Sequence, residues 1–176
     1  TRESAVVLVV DIQERLAPAI HEIDALMAAT GKLVQAARVL GVPVLATEQY
    51  PAGLGPTCES IRRLWGAVRP IEKIRFSACV DEIIEPLARL DRPHVLVVGM
   101  ETHVCVQQSV LDLLRRGYVP YVCADAVSSR RPTDRDLALQ RMRDAGAILT
   151  SVESAIFEIL GEAGTAQFKQ VLEIVK

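Results

Sequence analysis

Runs of β-forming apolar residues alternate along the chain with stretches of helical spacing. AVVLVVD (5–11) is apolar at every position but its last, which predicts a strand buried on both faces, central in a parallel sheet. Ile23, Leu26, Met27, Leu33, Ala37 and Leu40 recur at helical intervals, and Gly41 supplies the C-cap that ends the helix. VPVLATE (42–48) predicts a second strand, YPAGLGPT (50–57) a turn-rich loop, and 58–66 a short helix. A weaker strand falls near 71–74, a helix covers about 80–90, and HVLVVGM (94–100) is the fourth strand. Val106, Val110, Leu113 and Leu114 mark one face of the next helix, which ends at Gly117. In the fifth strand, YVPYVCAD (118–125), Pro120 has no N–H for a ladder and belongs at the strand's start or beside a bulge. A helix over about 133–145, a sixth strand at AILTS (147–151) and one or two closing helices complete the pattern.

Strand and helix alternate six times. With right-handed crossovers this predicts an α/β fold, an open parallel sheet with helices on both faces. No repeat, linker or low-complexity stretch divides the 176 residues, so a single domain over 1–176 is expected. Ligands of such sheets sit beyond the carboxyl ends of the strands, near the switch in strand order. No GxGxxG follows the first strand, so a dinucleotide-binding reading lacks its phosphate loop.

Composition narrows the partners. The formal net charge is -2 and no long basic run occurs, which predicts a small-molecule substrate and no nucleic acid. The longest apolar runs, AVVLVV and VLVVG, are too short for a bilayer span, so no membrane partner is expected. Residues 1–10 lack the basic and long apolar regions of a signal peptide. Cys58, Cys79, Cys105 and Cys123 lack CxxC spacing and read as reduced thiols, so a cytoplasmic location is expected.

Three strand ends carry candidate chemistry. Asp11 closes the first strand, Lys73 lies at or just past the third, and Cys105 opens the helix after the fourth. A helix N-terminus favours thiolate over thiol, so the Cys105 pKa is expected to fall. Thr102 is the candidate N-cap. The bland reading makes Cys105 a small buried side chain, Asp11 a cap and Lys73 a solvated cation. The functional reading makes Cys105 a nucleophile and Asp11 the base that takes its proton. Lys73 would then favour both anions by its charge.

The motifs that decide between these readings are VVLVVDIQERL, KIRFSAC and VVGMETHVCVQQSVLDLLRRGYVPYVCADAVSSR. Their order, and GxxTxxCV above all, resemble the isochorismatase-like cysteine hydrolases, in the isochorismatase domain-containing branch, over nearly the whole chain. The resemblance implies a three-layer α/β/α fold with a six-stranded parallel sheet of Rossmann-like topology. It places the family's catalytic residues on Asp11, Lys73 and Cys105. It implies a non-proline cis peptide from Met100 to Glu101, aiming the Glu101 N–H, with that of Cys105, as an oxyanion hole. It implies cleavage of a small C–N bond, of amide or ureido type, through a thioester. A vinyl-ether hydrolase, or a scaffold that keeps the fold without turnover, stands as the alternative. The family's habit implies a homo-oligomer, a dimer or larger.

Around this mouth Gln49 is a candidate for binding a substrate amide or carboxylate, and Tyr50 and Phe76 for an apolar wall. Gln13 is a candidate second-layer donor to Asp11, and His103 a candidate for orienting substrate. Nicotinamidases of the family hold a metal with an Asp and histidines near the second-strand loop. Here that region reads ATEQYPAGLGPT without histidine, and His21, His94 and His103 are far apart. No metal and no cofactor are therefore expected. Asp125, Ser128 and Arg130 are expected chiefly to cap and turn the chain after the fifth strand.

Overall fold

The fold is described from a computed structural model of residues 1–176. Six strands form one all-parallel sheet: β1 (Ala5–Val10), β2 (Val44–Gln49), β3 (Ile71–Lys73), β4 (His94–Met100), β5 (Val119–Ser128) and β6 (Ile148–Thr150). Their order across the sheet is β3-β2-β1-β4-β5-β6. This is the Rossmann-like order, and the chain reverses its direction of travel across the sheet at β1 and β4. The helices are α1 (Ile23–Leu40), α2 (Pro51–Leu54), α3 (Glu59–Arg62), α4 (Asp81–Leu90), α5 (Gln107–Arg115), α6 (Pro132–Asp144), α7 (Val152–Leu160) and α8 (Ala166–Val175).

The doubly apolar first strand feeds two cores, because successive side chains of a strand point to opposite faces. Ala5, Val7 and Val9 pack with Leu26, Leu33, Ile61, Ile156 and Val171 from α1, α3, α7 and α8. Val6, Leu8 and Val10 pack with Ile83, Leu87, Val110, Leu113 and Met142 from α4, α5 and α6. All six residues of β1 are buried. Its position at the sheet centre follows from that pattern.

Local chemistry fixes the ends. Gly41 at φ 70° closes α1, and its N–H bonds the carbonyls of Ala37 and Arg38. Pro120, the second residue of β5, pairs with Val95. Two elements differ from expectation. The fifth strand runs on to Ser128, because it slips register between Val97 and Gly99 of β4 and pairs again at Val127. The short helix after Cys58 ends at Arg62, well before 66.

The geometry at Gly99 explains why a glycine stands just before the turn that carries Cys105. The φ of this glycine is 131°, and a Cβ at this position would run into the Val10 carbonyl oxygen. Only glycine lets β4 lie this close to β1 one residue before β4 ends.

Candidate active site

The carboxyl ends of β1, β3 and β4 bring together an acid, an ammonium and a thiol. Asp11 follows β1 with φ 52°, a left-handed conformation that Asp tolerates better than most residues. Its Oδ2 accepts from Lys73 Nζ at 2.7 Å, and its Oδ1 accepts from Thr47 Oγ1 at 2.7 Å. The side chains of Lys73 and Asp11 are 0% and 1% exposed, so this ion pair is shielded from water. Lys73 Nζ also donates to Gln49 Oε1 at 2.8 Å, the Phe76 carbonyl at 2.9 Å and the Arg75 carbonyl at 3.1 Å. An ammonium has three hydrogens, so these four acceptors leave none for another partner. A buried charge is tolerated where it is satisfied in this way.

Cys105 is buried in a five-residue π-helical turn, Thr102–Val106, from which α5 continues at Gln107. Such turns recur at functional sites. The N–H groups of Val104 and Val106 both bond the Glu101 carbonyl, at 3.1 and 3.2 Å, and so fix the turn. The Met100–Glu101 peptide is cis. The Glu101 N–H has no acceptor in the chain.

The thiol is not the acidified one that a helix start predicts. Burial pushes the Cys105 pKa well above the ordinary thiol range. The charge of Asp11 and its acceptance of the thiol hydrogen push the same way, as does the charge of Glu101, while Lys73 opposes them. Burial and the Asp11 charge thus favour the protonated thiol over the thiolate. Thr102 is not the N-cap either: Glu101 takes that position without a side-chain bond, and the buried Thr102 Oγ1 has no partner.

The residues expected to line a pocket divide. Gln49 is consumed by Lys73 and by the Ile74 carbonyl, to which its Nε2 donates at 2.8 Å. Gln13 does not touch Asp11. It is fully buried, donates to the carbonyls of Gln49 and Gly55 at 3.0 and 2.7 Å, and accepts from the Gln49 N–H at 2.7 Å. It pins the 50–57 loop, as does Glu48, which accepts from the Thr57 N–H and hydroxyl at 2.6 Å each. Tyr50 and Phe76, each 53% exposed, and Ile74, 73% exposed, are exposed apolar side chains on the segments that flank Lys73. His103 Nδ1 pairs with Ser129 Oγ at 2.9 Å.

Sequence reasoning missed several supports. Thr47 bonds Asp11, and Arg130 bonds Glu101 through both Nε and its main-chain N–H at 3.0 Å. The Ser109 hydroxyl donates to the Cys105 carbonyl at 2.6 Å and accepts from the Ala78 N–H at 2.7 Å, tying the lysine loop to the cysteine turn. The S four residues after C in CVQQS was the available signal, since i and i+4 share a helix face. Asp125 does cap, accepting from the Val152 N–H at 2.9 Å. Trp65 is core, and Cys58, Cys79 and Cys123 are free and buried. The three histidines form no cluster with acids or thiols that would hold a cation. A surface cavity of about 480 Å³, lined by Thr1, Leu40, Glu158 and Glu162 among others, includes none of the strand-end residues. Chemistry rather than hollow volume marks the site.

The molecule is thus a Rossmann-like α/β sheet with a thiol, a carboxylate and an ammonium at its carboxyl edge. Residues 5–154 match the isochorismatase domain, and the chain belongs to the isochorismatase family. It is 41% identical to a secreted isochorismatase effector of Phytophthora sojae over 98% of this chain and 85% of that one. It is 40% identical to isochorismatase domain-containing protein 1 of Danio rerio over 94% of this chain, but spans 59% of that relative's length. The solved structure of the MAR1 ribonuclease from Caenorhabditis elegans superposes with a TM-score of 0.95 and 37% identity, covering 99% of this chain and 91% of that one.

Proposed function

We propose that the protein is a hydrolase that cleaves a small-molecule C–N bond of amide or ureido type, with Cys105 as nucleophile, Asp11 as proton carrier and Lys73 as the fixed counter-charge. The observation that carries this reading is the Cys105 thiol set against a buried carboxylate that is itself held by Lys73 at 2.7 Å. The thiol stays protonated until substrate arrives. Its sulfur then attacks the carbonyl carbon as Asp11 takes the proton, so no free thiolate accumulates. The Glu101 N–H, with that of Cys105, meets the developing oxyanion. Asp11 returns the proton to the nitrogen, the C–N bond breaks and the amine departs, leaving a thioester. Water attacks the thioester, its proton passes through Asp11 to sulfur, and the acid leaves.

Lys73 has no hydrogen left to donate and Gln13 spends both amide hydrogens on main-chain carbonyls, so one amide hydrogen of Gln49 and an apolar rim of Tyr50, Ile74 and Phe76 are left to meet the rest of the substrate. Neutral acyl groups of modest size fit such a rim better than carboxylates. The same exposed side chains suit association, and the protein forms a homo-oligomer, a dimer or larger, in this reading. The name of the worm relative adds RNA as a substrate to test, while the net charge of -2 supports a small molecule. The deciding experiment offers amides, ureides and RNA to the wild type, Cys105→Ala and Asp11→Asn. Turnover of an amide or ureide lost in both variants supports the reading, and RNA cleavage that survives in Cys105→Ala overturns it.

A further inference from the structure

Glu101 stands between β4 and the turn that carries Cys105, and it is gripped from two sides. Its carbonyl receives the N–H groups of Val104 and Val106, which set the turn. One oxygen of its carboxylate receives two donors from Arg130, the main-chain N–H and Nε, each at 3.0 Å. Arg130 lies in the short 129–131 link between β5 and α6, whose Ser129 also pairs with the His103 ring inside the turn. The Glu101 side chain is 8% exposed and that of Arg130 is 61% exposed. A nearly buried carboxylate beside the nucleophile thus has one partner cation, and that cation reaches it from solvent.

We propose that Arg130 is a positioning residue for Cys105: through the Glu101 carboxylate it holds the nucleophile turn, and it offsets a second negative charge beside the thiol. The inference rests on Cys105 being the nucleophile. Charge-assisted bonds to a fixed carboxylate give geometric control out of proportion to their contribution to stability. The Arg130 side chain is 61% exposed, and its main-chain N–H bond to Glu101 survives a side-chain replacement, so the guanidinium can be removed without unfolding the chain. Without the guanidinium the Glu101 carboxylate keeps only the main-chain N–H at position 130, its charge stands without a cation near a sulfur on which negative charge develops, and the turn is held from outside by one donor in place of two. Both effects act on the rate of attack.

The test is acylation of Cys105 by p-nitrophenyl acetate, followed as the nitrophenolate burst and located by peptide mass, with the melting temperature taken alongside. Arg130→Met is expected to slow acylation on the order of 10- to 100-fold, with melting nearly unchanged. Arg130→Lys recovers part of the rate, because the charge returns without the Nε–H geometry. Adding Glu101→Gln to Arg130→Met restores the rate toward that of Glu101→Gln alone, since no orphaned carboxylate remains. Wild-type acylation by Arg130→Met overturns the proposal. So does a loss that Glu101→Gln does not relieve and that follows a fall in melting temperature, which marks a loop anchor only. If the wild type takes no acetyl group at Cys105, the hydrolase reading itself falls and takes this inference with it.

Discussion

Lys73 and Asp11 depend on each other more than on anything else in the molecule. With both side chains shielded, removing either leaves an unpaired buried charge. Lys73→Met is expected to cost about 3–5 kcal/mol of stability, read from urea unfolding, whereas Thr47→Val, which removes one bond to the same carboxylate, costs about 1–2 kcal/mol. Cys105 gives a prediction with a sign. Burial and Asp11 hold its pKa up, so iodoacetamide labelling at Cys105 should have its midpoint above the roughly 8.5 of a free cysteine. Asp11→Asn should bring that midpoint down, because the opposing charge has gone. It should nevertheless slow acylation by a neutral substrate by about 100-fold or more, because the base has gone too. A preformed thiolate–ammonium pair predicts instead a wild-type midpoint below that of a free cysteine. Asp11 and Cys105 were legible as candidates because one ends an apolar run and the other sits in the turn after one, whereas Lys73, preceded by Glu72 in a weak strand, stood out only through the resemblance carried by KIRFSAC. The state of the thiol was not, because it depends on a carboxylate 94 positions away and on burial that no local pattern records.

Among the elements, β4 and the turn after it carry the tightest constraint. Gly99→Ala pushes a methyl group into the Val10 carbonyl and is expected to cost about 4 kcal/mol or more, or to abolish folding; a soluble variant melting like the wild type would contradict the close approach. Ser109→Ala removes a hydroxyl that serves two buried groups at once, the Cys105 carbonyl and the Ala78 N–H. A loss of about 1–3 kcal/mol is expected, with a slower acylation rate, since the lysine loop and the cysteine turn lose their shared fastening. The strands and the long helix α1 were legible, because periodicity and a C-cap glycine suffice for them. The π-helical turn was not, since it is set by main-chain bonds to Glu101. Nor was the reach of β5, since it depends on a slip against β4 that propensity does not encode. The clamp of Gln13 on the 50–57 loop escaped for a similar reason: it joins segments 36 to 42 positions apart.

For the molecule as a whole, α/β alternation and an apolar first strand were enough to predict the parallel sheet and the central place of its first strand. No helix is long and apolar enough to cross a membrane. Burial of four thiols gives the fold a pH dependence of its own. Cys79 is pushed up to about 11, and Cys58, Cys105 and Cys123 are also raised, in each case chiefly by burial. The folded chain therefore keeps thiol protons that the unfolded chain releases. Stability is complete below the unfolded thiol pKa of about 8.5 and falls as pH rises through the folded values, so the melting temperature should drop between about pH 8.5 and 11. A flat profile there would contradict the burial. The central claim, that Cys105 attacks with Asp11 as its base, is tested most directly by intact-mass measurement of the chain quenched early in reaction with p-nitrophenyl acetate. The account predicts one acetyl group on Cys105, none in Cys105→Ala, and acylation slowed by about 100-fold or more in Asp11→Asn. Acetyl transfer to Cys105 at the wild-type rate in Asp11→Asn, or none to Cys105 in the wild type, would contradict it.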